Sequence, residues 1–191
     1  MSNQSTQRRL ATLLSSLTTR LDIYRKVRQA FRGVHALCAA TASEYLIRAG
    51  VLGGYRPWTS QLESDLSRKG WKTVAAGVSP VDLQATEGSQ SGERPRTTLH
   101  VGSNAQSSKL TGGVPAPPLR FGDLCYTIDS NRNGAPDHVF FFIRWLDRAR
   151  LIAEVVDNYA PHPHPRNLGA PQWYGGKRLA YGKFHHAQRL P

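Results

Sequence analysis

The sequence predicts an α+β domain in which helices come first and an antiparallel sheet follows. Three observations carry this reading. Leu10, Leu13, Leu14, Leu17, Leu21 and Tyr24 recur at helical spacing, while Arg9, Thr12, Ser16, Arg20 and Lys26 mostly fall elsewhere. A second helical stretch, about 36–49, ends at Gly50, a good C-cap. From Leu119 onward the pattern is strongly β, with strands over 124–128, 139–145 and 151–156.

The first helix is expected to run to about Phe31 and stop at Gly33, with the first seven residues loose. Residues 1–32 then form a helical extension ahead of a domain spanning 33–191. In the second helix Ala39, Ala40 and Ala42 are small, as close packing on a sheet requires. A third helix is expected over 59–69, capped by Thr59 or Ser60 with Glu63 as the capping-box acid. Residues 70–74 look like a first strand. Residues 77–118 are dominated by Gly, Ser, Pro, Thr and Gln and read as a long insertion, functional or mobile, with short ordered pieces at 81–83 and 97–101. The almost continuous apolar run 139–145 suits a central strand, and Asn133-Gly134 before it suits a type I′ turn. The tail, 158–191, reads as loop with a last strand over 179–184.

The totals exclude several classes. A chain of 191 residues can bury a proper core, and 39% apolar residues is too much for a disordered chain. Two cysteines cannot make a disulfide framework. No apolar run approaches the roughly 20 residues that span a bilayer, so stable membrane insertion is not expected. Arg8-Arg9 ahead of 10–17 imitates a short signal peptide, but hydroxyls interrupt the run and no small-x-small site follows. The segment reads as a helix of the mature protein, made in the cytoplasm without a leader. The net charge of +12 concentrates polyanions: nucleic acid, anionic membrane or acidic wall polymers.

The chemistry centres on Cys38. A thiol at a helix start feels the positive end of the helix dipole, which favours the nucleophilic thiolate. His138 opens a strand after a polar turn and is the candidate base. A third group should orient the imidazole. Asp157 and Asn158, at the end of the next strand, both suit and would point to opposite faces, and Glu154 is a further option. Asp137 adjoins His138 but would face the other way, and Cys125 reads as core.

This pattern resembles the CHAP and NlpC-type cysteine amidases and peptidases of bacterial cell walls. The matching residues are Cys38 at a helix start, Gly122-Asp123-Leu124, His138-Val139 and Asp157-Asn158, with Trp71 after Gly70 as a further point of likeness and, with Trp173 and Tyr174, an expected substrate-binding residue at the cleft. The resemblance covers roughly residues 33–160. The usual Asp-Cys or Gln-Cys dipeptide is replaced by Leu37-Cys38, and the 77–118 insertion lengthens the Cys–His gap. The resemblance implies a papain-like fold, no cofactor, and cleavage of a peptide-type amide in peptidoglycan through a thioester. It also implies that the Cys38 backbone N–H helps form the oxyanion hole.

Other motifs point elsewhere. Residues 129–137 imitate a calcium loop, but Phe140 stands where the bidentate Glu belongs and Arg132 adds positive charge. His162, His164, His185 and His186 lack the spacing of a zinc site, so no metal is expected. Trp173, Tyr174 and Tyr181 beside Lys177, Arg178 and Lys183 read either as core or as a platform for sugar or nucleic acid. The rival to a hydrolase is a basic nucleic-acid-binding domain, although no known binding motif is present; a same-fold hydrolase with another substrate is the second rival.

Overall fold

A computed structural model describes residues 2–32, 37–76, 116–128, 136–169, 173–174, 177–178 and 183–191. One compact unit comprises Met1–Gly77 and Ala116–Pro191. The expected insertion lies almost wholly outside the described residues, as do Gly33, the Asn133-Gly134 turn, all but the end of the calcium-like loop, and Tyr181.

Among the described residues four helices precede the sheet: α1 (Asn3–Ser15), α2 (Leu17–Ala30), α3 (Leu37–Arg48) and α4 (Thr59–Arg68). Eight strands among the described residues follow: β1 (Lys72–Ala76), β2 (Leu124–Ile128), β3 (His138–Asp147), β4 (Ile152–Val156), β5 (His164–Asn167), β6 (Trp173–Tyr174), β7 (Lys177–Arg178) and β8 (Lys183–Arg189). Six of them form one antiparallel sheet in the order β1-β8-β2-β3-β4-β5, and β6 pairs with β7. The α+β class is therefore the architecture of the described chain.

The expected single N-terminal helix is two helices. Ser16 ends α1 with its backbone N–H on Thr12, then caps α2 by accepting from the Thr19 backbone N–H at 3.2 Å. The break re-aims the second helix, so that Arg20, Ile23 and Val27 face inward rather than Leu17, which is exposed. The first residues are not loose either, because Ser2 caps a helix that starts at Asn3. Thr59 does not cap α4. Trp58 holds the cap position, and the Thr59 hydroxyl donates to the Pro136 carbonyl instead.

Leu10, Leu14, Ile23 and Val27 share one core with α3, α4 and the sheet residues Leu124, Tyr126, Val139, Phe141 and Val156. The alternate residues Cys125, Phe140, Phe142, Ala153 and Val155 form a second core on the sheet's other face. α3 lies on β3, with Tyr45 edge-on to Phe141 at 5.4 Å. Its small residues Ala39, Ala40 and Ala42 are buried, which permits that approach. Glu44, also buried, accepts from Lys26 Nζ and Arg48 Nε at 2.8 Å each and from Tyr55, tying α2 to α3. Gly50 closes α3 at φ +81°. Gly122 has φ +84°, a conformation costly for any side chain, and its N–H bonds the Phe142 carbonyl at 2.9 Å.

The tail supplies more sheet than expected. β8 begins at Lys183, near the end of the expected strand, and runs on between β1 and β2. Its Gln188 is fully bonded there. Gln188 accepts from Tyr126 OH at 2.8 Å and donates to Ser67 Oγ at 2.8 Å and the Glu63 carbonyl at 3.2 Å. Among the described residues, no helix is long and apolar enough to cross a membrane.

Candidate active site

Antiparallel pairing sets Phe141 opposite Val156, so the end of β4 lies beside the start of β3. That register brings Asp157 to His138. The His138 Nε2 is 2.9 Å from Asp157 Oδ2, and both side chains are buried. Asp157 can only accept when ionised, so Nε2 carries the ring proton and Nδ1 is the basic nitrogen.

β5, at the sheet edge, contributes His164 and also Arg166, which sequence reasoning did not place here. Arg166 donates to Asp157 Oδ2 and sets its guanidinium 5.0 Å from the centre of the Phe140 ring. The same Arg166 nitrogen is 3.2 Å from His138 Nε2. His164 Nε2 is 3.5 Å from Asp157 Oδ1, which also accepts the Tyr159 backbone N–H at 2.7 Å. The aspartate thus carries an imidazole, a guanidinium and a main-chain donor at once.

This setting fixes the charges. Burial and the adjacent Arg166 cation push His138 down to about 4, against the pull of Asp157. Burial alone would raise the Asp157 carboxyl, but the His138 hydrogen bond and the Arg166 charge hold it well below the usual range. Burial and the neighbouring Arg166 charge likewise lower His164, with Asp157 opposing.

Cys38 is the second residue of α3. Backbone N–H groups of Val139, Ala39 and Cys38 itself favour its ionised form, and the Asp157 charge opposes it. Val139 is one residue from His138 along β3. The thiolate expected from the helix dipole is not the resting form. Cys38 is only 8% exposed, and burial pushes its thiol up to about 11, outweighing the N–H donors.

The two side chains reach the start of β3 from different sides. Cys38 belongs to the helix-side core, whereas His138 stacks on Phe140, of the opposite core, at 6.1 Å between ring centres. Of the orienting candidates, Asp157 meets His138. Asn158 has a buried amide oxygen with no hydrogen-bond partner, and Glu154 instead pairs with Arg144 at 2.7 Å. Cys125 is sealed in the second core.

Trp71, expected at the substrate cleft, is not at this end. It precedes β1, whose Lys72 pairs with Arg189, and is buried in the helix-side core near the start of β2. The backbones of Trp173 and Tyr174 form β6, and their side chains lie outside the described residues. Among the described residues no group of three or more His, Cys, Asp and Glu side chains has a metal-binding arrangement. No protein family, curated protein or solved structure matches the chain.

Proposed function

We propose that the chain is a cysteine hydrolase with a papain-like arrangement, of the CHAP and NlpC kind, cleaving peptide-type amides of peptidoglycan. The observation that supports this reading is the 2.9 Å His138–Asp157 bond at the start of β3, next to Val139, whose backbone N–H favours ionisation of the Cys38 thiol. Gly122-Asp123-Leu124 and His138-Val139 open β2 and β3, as in the family the sequence resembles. The net charge of +12 favours an anionic polymer as partner, whether wall or nucleic acid.

In this mechanism Cys38 Sγ bonds to the carbonyl carbon while its proton passes to His138 Nδ1. The imidazolium then protonates the leaving amine, the C–N bond breaks and a thioester forms. Water, deprotonated by the same nitrogen, releases the acid and restores the thiol. Asp157 keeps the ring in the required tautomer and Arg166 keeps Asp157 ionised. With Cys38 near 11 and His138 near 4, both are neutral at pH 7, so proton transfer accompanies attack. The mechanism requires His138 Nδ1 and Cys38 Sγ to come within hydrogen-bond reach across the start of β3 when substrate binds.

The test is zymography on purified peptidoglycan with Cys38→Ala as control, together with mass spectrometry for an acyl adduct on Cys38. Clearing by the unaltered chain and none by the variant is expected. Equal clearing by both, or clearing by neither, overturns the reading. Iodoacetamide gives an independent readout: Cys38 should label faster than Cys125, with a rate still climbing above pH 9 rather than levelling near pH 6. A plateau at mildly acidic pH contradicts the neutral pair.

A further inference from the structure

A cleft of about 350 Å³ opens at the end of the sheet opposite His138. Thr127 pairs with His138 and Leu124 with Phe141, so the cleft, beside Gly122 and Asp123, lies at least about 10 Å along β2 from the candidate active site. Its walls come from α1, the approach to β1, the turn before β2 and the end of β8.

The walls are chemically uneven. Leu10, Phe121 and Leu190 supply an apolar lining. Arg8 and Arg120, both exposed, also line the cleft, and neither guanidinium has an acidic partner among the described residues. Arg189 does not add free charge, because its Nε and an Nη bond Asp123 at 2.7 and 2.6 Å. Trp71 lines the cleft too, and its indole N–H is buried with no hydrogen-bond partner. A buried donor without a partner is costly, so this N–H favours an incoming acceptor.

We infer that this cleft is a second binding site, separate from Cys38, for a carboxylate carried on an apolar body. The body lies on Leu10, Phe121 and Leu190. The carboxylate is met by Arg8 and Arg120, with Trp71 as a neutral donor. Guanidinium suits a carboxylate because its fork matches two oxygens. The size of the cleft admits an aryl or aliphatic acid or the last residue of a peptide. These are two sources of the same chemistry.

Heteronuclear NMR of the full chain tests this, reading the Trp71 indole signal assigned by its loss in Trp71→Phe. The probes are phenylacetate and N-acetyl-alanyl-leucine, each against its primary amide. At least one acid should shift the signal saturably, with its amide weaker by about tenfold or more. Response to phenylacetate alone marks a free acid as the ligand, response to the peptide alone marks a chain terminus, and response to both marks a general carboxylate site; each supports the inference. Arg8→Gln combined with Arg120→Gln, surface changes that should leave folding intact, should weaken the acid by about tenfold or more. No shift from either acid, equal binding of acid and amide, or unchanged binding in the double variant overturns it. Cys38→Ser should bind as the unaltered chain does, so this site stands or falls independently of the hydrolase.

Discussion

Two buried aspartates sit at opposite ends of the same sheet, each gripped by an arginine, and they differ in what else they hold. Asp123, before β2, takes two bonds from Arg189 and caps the turn by accepting the Arg120 backbone N–H at 2.8 Å. Every partner there is a permanent donor, so the cluster only fastens β8 to the turn. Asp157, after β4, takes Arg166 and a main-chain N–H as well, but gives its remaining capacity to His138. One arrangement holds no titratable partner; the other holds a titratable ring at the start of β3. Under the proposed function the chemistry rests on that third partner, since an aspartate–arginine pair alone is structural at both ends.

Asparagine at each position breaks this comparison most sharply. Asp157→Asn should cut hydrolysis by about 10²- to 10⁴-fold, because the amide no longer fixes the tautomer or supports the imidazolium. Asp123→Asn should leave the turnover of folded protein nearly unchanged and lower the melting temperature. Peptidoglycan hydrolysis normalised to folded protein checks both, and equal activity losses would remove the distinction.

The arginines give the next effect. Removing one partner of a buried ion pair costs about 3–5 kcal/mol, so Arg166→Met should lower the urea midpoint strongly. The same variant should raise the His138 titration point from about 4, because the cation that opposes its protonation is gone. Arg189→Met should destabilise less, since Arg189 is partly exposed, and should leave His138 where it is. Imidazole NMR titration of both variants separates positioning from mere support.

A smaller effect is the pH dependence of stability. His138 is depressed to about 4 in the fold, against about 6.5 in the unfolded chain. Its unfolded form therefore binds more protons between those values, and stability, full above about pH 6.5, is lost as pH falls toward 4. His164 and His185 are lowered too and add to the same slope. Asp157, also depressed, contributes above its ordinary range and is lost only at still lower pH. Urea midpoints across this window should fall with acid, less steeply in His138→Gln; a flat profile contradicts the buried neutral imidazole.

The sequence exposes the central strands β2, β3 and β4 better than β8 and β5 on either side of them, for physical reasons. α3 and strands β2, β3 and β4 are legible because their burial is hydrophobic and periodic. β8 is not, because its buried positions include His186 and Gln188, held by hydrogen bonding and by stacking of His186 on Tyr126 at 4.6 Å, which hydropathy does not register. β5 hides for another reason. It is four residues long and contains Pro165, and a strand can carry proline there because it is an edge. Arg166 was therefore missed as part of a His-Pro loop, although its spacing two residues after His164 places both on one face. Cys38 and His138 were visible as residue types, but the opposing faces from which they reach β3 depend on strand register and helix placement.

The mildest test concerns the choice between Asp157 and Asn158, which the sequence left open. Asn158 carries a buried amide oxygen with no hydrogen-bond partner. Replacing it with alanine removes an unsatisfied acceptor instead of a bond, so stability should change by less than about 1 kcal/mol. Hydrolysis should stay within about threefold of the unaltered chain, because the imidazole's partner is the neighbouring carboxylate. Side-by-side kinetics of Asn158→Ala and Asp157→Asn check this. If Asn158→Ala loses as much activity as Asp157→Asn, the amide takes part in orienting the ring, and the resting His138–Asp157 bond is not the one used in turnover.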